Sequence, residues 1–117
     1  MPDTQKDLYK KLLGREGEKL TEKYLKKRGY KILARNYVTP FGEADIIAEK
    51  DGETVFVEVK TRSGNGFGTP AEAVGRKKRE RYRKIAEYYF LTNEESDFSF
   101  AVSEVVGKEI NLIKDAF

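Results

Sequence analysis

The chain has 117 residues and contains neither cysteine nor histidine. Without cysteine there is no disulfide framework, no thiolate nucleophile and no cysteine-based zinc site. Without histidine, Ser-His-Asp and Cys-His catalysis and imidazole metal ligation are all excluded. Acid-base or metal chemistry must then rest on carboxylates, lysine, tyrosine or backbone groups. Such oxygen-rich donor sets favour hard cations, Mg2+ or Mn2+. Long apolar runs are also missing. Nothing approaches the ~20 residues of a membrane span, and the polar N-terminus lacks a signal-peptide core. The expected setting is soluble, cytoplasmic and without membrane contact, and the absence of cysteine agrees with a reducing compartment.

Hydrophobic residues make up 38% of the chain and charged residues 37%. The apolar residues come in periodic blocks, which points to a folded chain rather than a disordered one. The length suits one domain, residues 1–117, with a modest core. Net charge is only +3, so its distribution matters more than its sum. The run "RKKRERYRK", residues 76 to 84, carries +6, and the rest of the chain therefore carries −3. One strongly basic element on an otherwise acidic chain is the footprint of phosphate-backbone binding. The same run also reads as an exposed helix whose charges merely solvate it.

Apolar spacing predicts a helix over residues 4 to 28, with Leu8, Leu12, Leu13, Leu20, Tyr24 and Leu25 recurring and Gly29 placed to end it. Gly14 and Gly17 weaken its middle, as a close backbone approach would require. "YKILARNY" reads as a first strand, followed by a turn over Thr39–Gly42. "EADIIAE" and "TVFVEVKT" read as two strands, and Asp51-Gly52 between them is a two-residue hairpin signal. After the Gly-rich loop "RSGNGFG", a second helix is expected from Thr69 to about Leu91, with Thr69, Pro70 and Glu72 as its capping box. "FSFAVSEVV" and "EINLIK" close the order αβββαββ around a turn at Gly107-Lys108.

The hairpin turn sets a register. Lys50 pairs with Glu53, so Asp45 falls opposite Glu58 and Glu43 opposite Lys60, all four on one face. The other face carries Ala44, Ile46, Ala48, Val55, Val57 and Val59. Two directly opposed carboxylates repel, and a divalent cation between them removes that cost. The residues alone leave two readings open: a metal-carboxylate site with Lys60 beside it, or a surface patch of Glu43–Lys60 pairing with Asp45 solvated. Ile47 opposite Phe56 on the same face argues for at least partial cover, where charge demands a reason.

"GEADIIA" followed by "VFVEVKTR" resembles the signature of the PD-(D/E)xK nuclease superfamily. More closely, the chain resembles the YraN-like family of small bacterial proteins related to archaeal Holliday junction resolvases. "GREGEKLTEKYLKKRGYKILARN", "FGTPAEAV" and "INLIKDAF" extend the likeness over nearly the whole chain. The resemblance implies a restriction-endonuclease-like α/β fold, a mixed sheet flanked by helices. It implies Asp45 and Glu58 as metal ligands with the Val59 carbonyl, Lys60 as the catalytic lysine, and Glu43 beside the metal. Glu18 matches the acidic helix residue that such nucleases bring towards the metal; the residues alone favour a solvated helix position. Where relatives tend to show Arg-Phe-Asp after the second helix, this chain has Ser99-Phe100-Ala101.

The expected activity is metal-dependent hydrolysis of phosphodiester bonds in DNA, branched or junction DNA included. Arg62, at the head of the Gly-rich loop, and Arg76, Lys77, Lys78, Arg79 and Arg81 are the candidate nucleic-acid contacts. Tyr82 is a candidate for base stacking, although most aromatics here read as core. Related resolvases imply a homodimer. The alternatives are a nucleic-acid-binding module without turnover, or a protein-interaction domain on the same fold.

Overall fold

The computed structural model describes residues 4–62 and 75–115, with side chains described at residue 12 and from residue 14 onwards. Among the described residues, seven elements follow one another: α1 (Thr4–Lys27), β1 (Lys31–Thr39), β2 (Gly42–Lys50), β3 (Glu53–Arg62), α2 (Arg76–Phe90), β4 (Asp97–Val106) and β5 (Glu109–Lys114). The order αβββαββ is the one the sequence predicts. The strands form one sheet in the order β1-β2-β3-β4-β5. All neighbours are antiparallel except β3 and β4, which run parallel. A parallel pair cannot be joined by a hairpin, so the chain crosses over between them, and α2 lies on that crossover. The result is a mixed sheet covered by a helix on each face, consistent with a restriction-endonuclease-like arrangement.

The two faces have separate cores. Leu25 of α1 packs on Ile46, Ala48, Val55, Val57 and Ala101. Tyr82, Ile85, Ala86 and Tyr89 of α2 pack on Ala44, Ile47 and Phe56. Helix α1 ends as expected at Gly29, with φ 89°. Tyr30 N–H reaches back to Leu25 O at 3.0 Å and Gly29 N–H to Lys26 O at 3.1 Å, which satisfies the last carbonyls. The apolar stripe on α1 is shorter than its leucines imply, since Leu12 is 61% exposed. The close approach expected at the α1 glycines is real at Gly17, where a Cβ would lie 2.3 Å from Thr61 Oγ1. Beside it, Thr21 hydrogen-bonds Gly17 O and Ser103 Oγ, so two buried hydroxyls tie the helix to β4.

Helix α2 departs from its expected start. Its N-cap is Gly75, in extended conformation at φ −130°, ψ 168°. A residue with extended backbone cannot belong to a helix, so α2 begins at Arg76. The capping box at Thr69, Pro70 and Glu72 lies outside the described residues.

Candidate metal-carboxylate site

The Asp51-Gly52 turn forms with both residues at positive φ, and the hairpin register is the predicted one from Lys50↔Glu53 to Ile46↔Val57. There the β2–β3 ladder stops. Asp45 and Glu58 are therefore not a cross-strand pair, and neither are Glu43 and Lys60. Instead the Asp45 carboxylate crosses the gap and accepts a hydrogen bond from Val59 N–H at 2.8 Å. Past this point β3 pairs only with β4, as far as Arg62↔Val106.

The divergence has a local cause in β1 and β2. Their register shifts by one residue between Ile32 and Ala34 and then keeps a single alignment through Arg35↔Ile46 and Tyr37↔Ala44, with Asn36 and Asp45 between. Asn36 adopts φ 48°, a left-handed conformation that asparagine tolerates better than most residues. Side-chain alternation changes phase across this step. Ile46 packs towards α1, whereas Ala44 packs with Ile47 and Phe56 towards α2. The expectation that Ala44 shares a face with Ile46 and Val57 fails for this reason. The kink also turns Asp45 and Asn36 towards α1, where they line a cavity of about 230 Å³ with Arg15, Glu18, Lys19, Glu22, Arg35 and Ile46.

Negative charge converges on this step. Burial pushes the Asp45 carboxyl up to about 6, and Glu18, Glu58 and Glu43 push in the same direction against the Val59 hydrogen bond. Glu18 is likewise raised, first by burial and then by Glu43, while Asn36 and Arg15 oppose the shift. With its amide oriented to donate, Asn36 Nδ2 lies 3.3 Å from Glu18 Oε1 and 3.0 Å from Glu43 Oε1. It bridges a helix carboxylate and a strand carboxylate. At the cavity wall, the Arg35 guanidinium pairs with Glu22 and holds that carboxyl far below its usual range.

Glu58 is held from the other side. Lys78 Nζ lies 2.8 Å from both of its carboxylate oxygens. Lys60 is half-buried on β3 and stands in register with Glu104. Glu104 itself is fully buried, with Arg62 Nε 3.3 Å from its Oε2. Arg76, Lys77, Arg79 and Arg81 are exposed on α2, and the Arg81 side chain passes over Gly42. Tyr82 is 1% exposed and its ring packs at 5.9 Å from Phe100, so it cannot stack on a base.

The structure thus brings Glu18, Glu43 and Glu58 within electrostatic reach of Asp45 and pairs Lys78 of the basic helix with Glu58. Among the described residues, no three acidic side chains converge closely enough to grip a metal ion. Carboxylate oxygens and a surplus of negative charge are the chemistry a hard divalent cation takes, and Asp45 on β2 with Glu58 and the Val59 carbonyl on β3 would be the donors for one. Sequence reasoning missed Asn36, Glu104, and Arg15 and Lys19 at the cavity. Only Asn36 left a trace in the sequence, as a residue type that favours positive φ.

Fold and site together define a small α/β protein of restriction-endonuclease-like arrangement, with an acidic cluster where two sheet strands part. The chain belongs to the uncharacterised protein family UPF0102, the YraN-like family, whose profile matches residues 17–107. A UPF0102 protein of Caldicellulosiruptor bescii is 47% identical over 116 residues, covering 92% of this chain and 98% of that one. One from Alkaliphilus metalliredigens is 45% identical over 114 residues, with the same coverage. One from Dictyoglomus thermophilum is 54% identical over 82 residues, 70% of each chain. Among the described residues, no helix is long and apolar enough to cross a membrane.

Proposed function

We propose that this chain is a metal-dependent endonuclease that hydrolyses phosphodiester bonds in DNA, with branched or junction DNA as the leading substrate class. The observation that carries the reading is Asp45. It is a carboxylate with three acidic neighbours, raised to about 6 and opening onto a cavity. A structural salt bridge does not call for such an arrangement, whereas a bound cation would offset the charge it gathers. Asp45, Glu58 and the Val59 carbonyl would hold Mg2+ or Mn2+. Such an ion supplies charge neutralisation and Lewis acidity towards a phosphoryl oxygen and an attacking water.

The remaining work falls to the chain's own groups. Asp45 is fixed by Val59 N–H, so its position does not depend on a flexible rotamer. Lys60 extends from the strand that carries Glu58 and donates hydrogen bonds to the water or to the phosphate, where negative charge develops. Arg76, Lys77, Arg79 and Arg81 hold phosphates along the duplex, with Lys78 at the cluster and Arg62 beside Glu104. Arg15 and Lys19 add basic groups at the cavity through which Asp45 is reached.

A nucleic-acid-binding module without turnover is the second reading. The Lys78–Glu58 ion pair favours it, because it gives Glu58 a counter-charge of its own. The deciding experiment is a cleavage panel over single-stranded, duplex, flap and four-way DNA, with and without Mg2+ or Mn2+. Cation-dependent products lost on Lys60→Ala support the nuclease. Binding without products supports the module, and neither binding nor products leaves a protein-interaction domain.

A further inference from the structure

Lys78 and Glu58 carry conflicting expectations. One is assigned to nucleic acid and the other to a cation, yet the two side chains hold each other. Both oxygens of Glu58 lie 2.8 Å from Lys78 Nζ, and the two side chains are 21% and 23% exposed. Lys78 sits one turn before Tyr82, whose buried ring fixes that face of α2 against the sheet. Its neighbours Lys77 and Arg79 are exposed. The pairing therefore follows from the way α2 is seated, not from a chance surface encounter.

A carboxylate this far from water needs a counter-charge, and Asp45, Glu43 and Glu18 nearby increase the need. Lysine suits a replaceable counter-charge. Its ammonium is a point charge on a flexible four-carbon stem and can leave without disturbing the helix that carries it. A divalent cation binding Asp45 and Glu58 brings twice the charge to the same place. Once it is there, the ammonium has lost its partner and faces a like charge.

We propose that Lys78 is an exchangeable internal counter-ion of Glu58: it occupies the carboxylate while no divalent cation is bound and is released towards DNA phosphate when one binds. Cation binding and DNA binding are then coupled through one side chain, and the coupling is reciprocal. This rests on the metal-dependent reading above.

The test is calorimetric titration of Ca2+ or Mn2+ into the wild-type chain, Lys78→Met and Arg79→Met. Arg79→Met removes the same charge from an exposed neighbour and so controls for net charge. Lys78→Met should tighten cation binding roughly five- to tenfold, and Arg79→Met by about twofold at most. In wild-type crystals soaked in Mn2+, Lys78 Nζ should lie more than about 4 Å from Glu58; this readout does not depend on the variant folding. If the wild type binds the cation and Lys78→Met binds it no better than Arg79→Met, the counter-ion role is overturned and the metal site survives. Mn2+ on Asp45 with the Lys78–Glu58 contact intact likewise overturns the counter-ion role and leaves the metal site standing. No cation binding by any of the three chains overturns the metal reading, and this inference with it.

Discussion

Asp45→Asn tests whether the chain tolerates a cost at the cluster for the sake of its charge. The Asp45 carboxyl rises from 3.8 to about 6, chiefly through burial and then through Glu18, Glu58 and Glu43. Its folded-state pKa is above the unfolded one, so the folded state holds the proton more tightly. Stability is then favoured at low pH and falls as pH rises between about 4 and about 6. At 1.36 kcal/mol per unit, the full shift corresponds to about 3 kcal/mol. Solvent screening at a half-buried group reduces this to about 1–2 kcal/mol. Asparagine keeps an oxygen to accept the Val59 N–H while losing the charge. In urea melts the D45N variant should match the wild type near about pH 4 and exceed it by about 1–2 kcal/mol near about pH 8. For a chain of this size that raises Tm by about 5–10 °C. Mn2+ at the higher pH should stabilise the wild type and not D45N. A D45N chain that is no more stable than wild type at high pH, or a difference that does not change with pH, would refute the argument that burial, reinforced by the neighbouring carboxylates, opposes the charge on Asp45.

Three further outcomes are expected. Lys60→Ala should abolish cleavage while leaving DNA affinity largely intact, as read by gel shift beside a product assay; cleavage at wild-type rate removes Lys60 from the catalytic role. Single changes to alanine at Arg76, Lys77, Arg79 and Arg81 should each lower DNA affinity similarly for every sequence and reduce the salt slope by about one where a phosphate contact is lost; unchanged slopes at all four would return α2 to the status of a solvated helix. Gly17→Ala puts a methyl 2.3 Å from Thr61 Oγ1, with Val59 Cγ1 at 3.5 Å. Overpacking there should cost about 1–3 kcal/mol in chemical denaturation, whereas the same change at Gly14, with nothing within 4 Å, should cost nothing or stabilise the helix.

Periodicity and turn chemistry are local properties, and they were sufficient for much of this protein. Asp51-Gly52 sets the β2–β3 register from Lys50↔Glu53 down to Ile46↔Val57, because a two-residue turn leaves the strands no other alignment. Gly29 ends α1, and the basic run of α2 exposes Arg76, Lys77, Arg79 and Arg81. The candidate acidic residues were also legible, because a strand that is otherwise buried does not carry Asp45 and Glu58 without cause. Tertiary structure decided how those residues are held. A register extrapolated from a turn assumes continued alternation, and the Asn36/Asp45 step breaks it through a backbone conformation that no hydrophobic pattern encodes. Lys78 could not be separated from its basic neighbours by composition, since its pairing with Glu58 depends on where Tyr82 anchors α2 against the sheet. Glu104, one more charge in a strand by its sequence, becomes a fully buried partner of Arg62 only when β4 lies parallel to β3. Local chemistry along the chain fixed which residues could act. The meeting of segments far apart in the chain fixed which charge each of them faces, because Coulomb energy and desolvation depend on distance in space rather than along the chain.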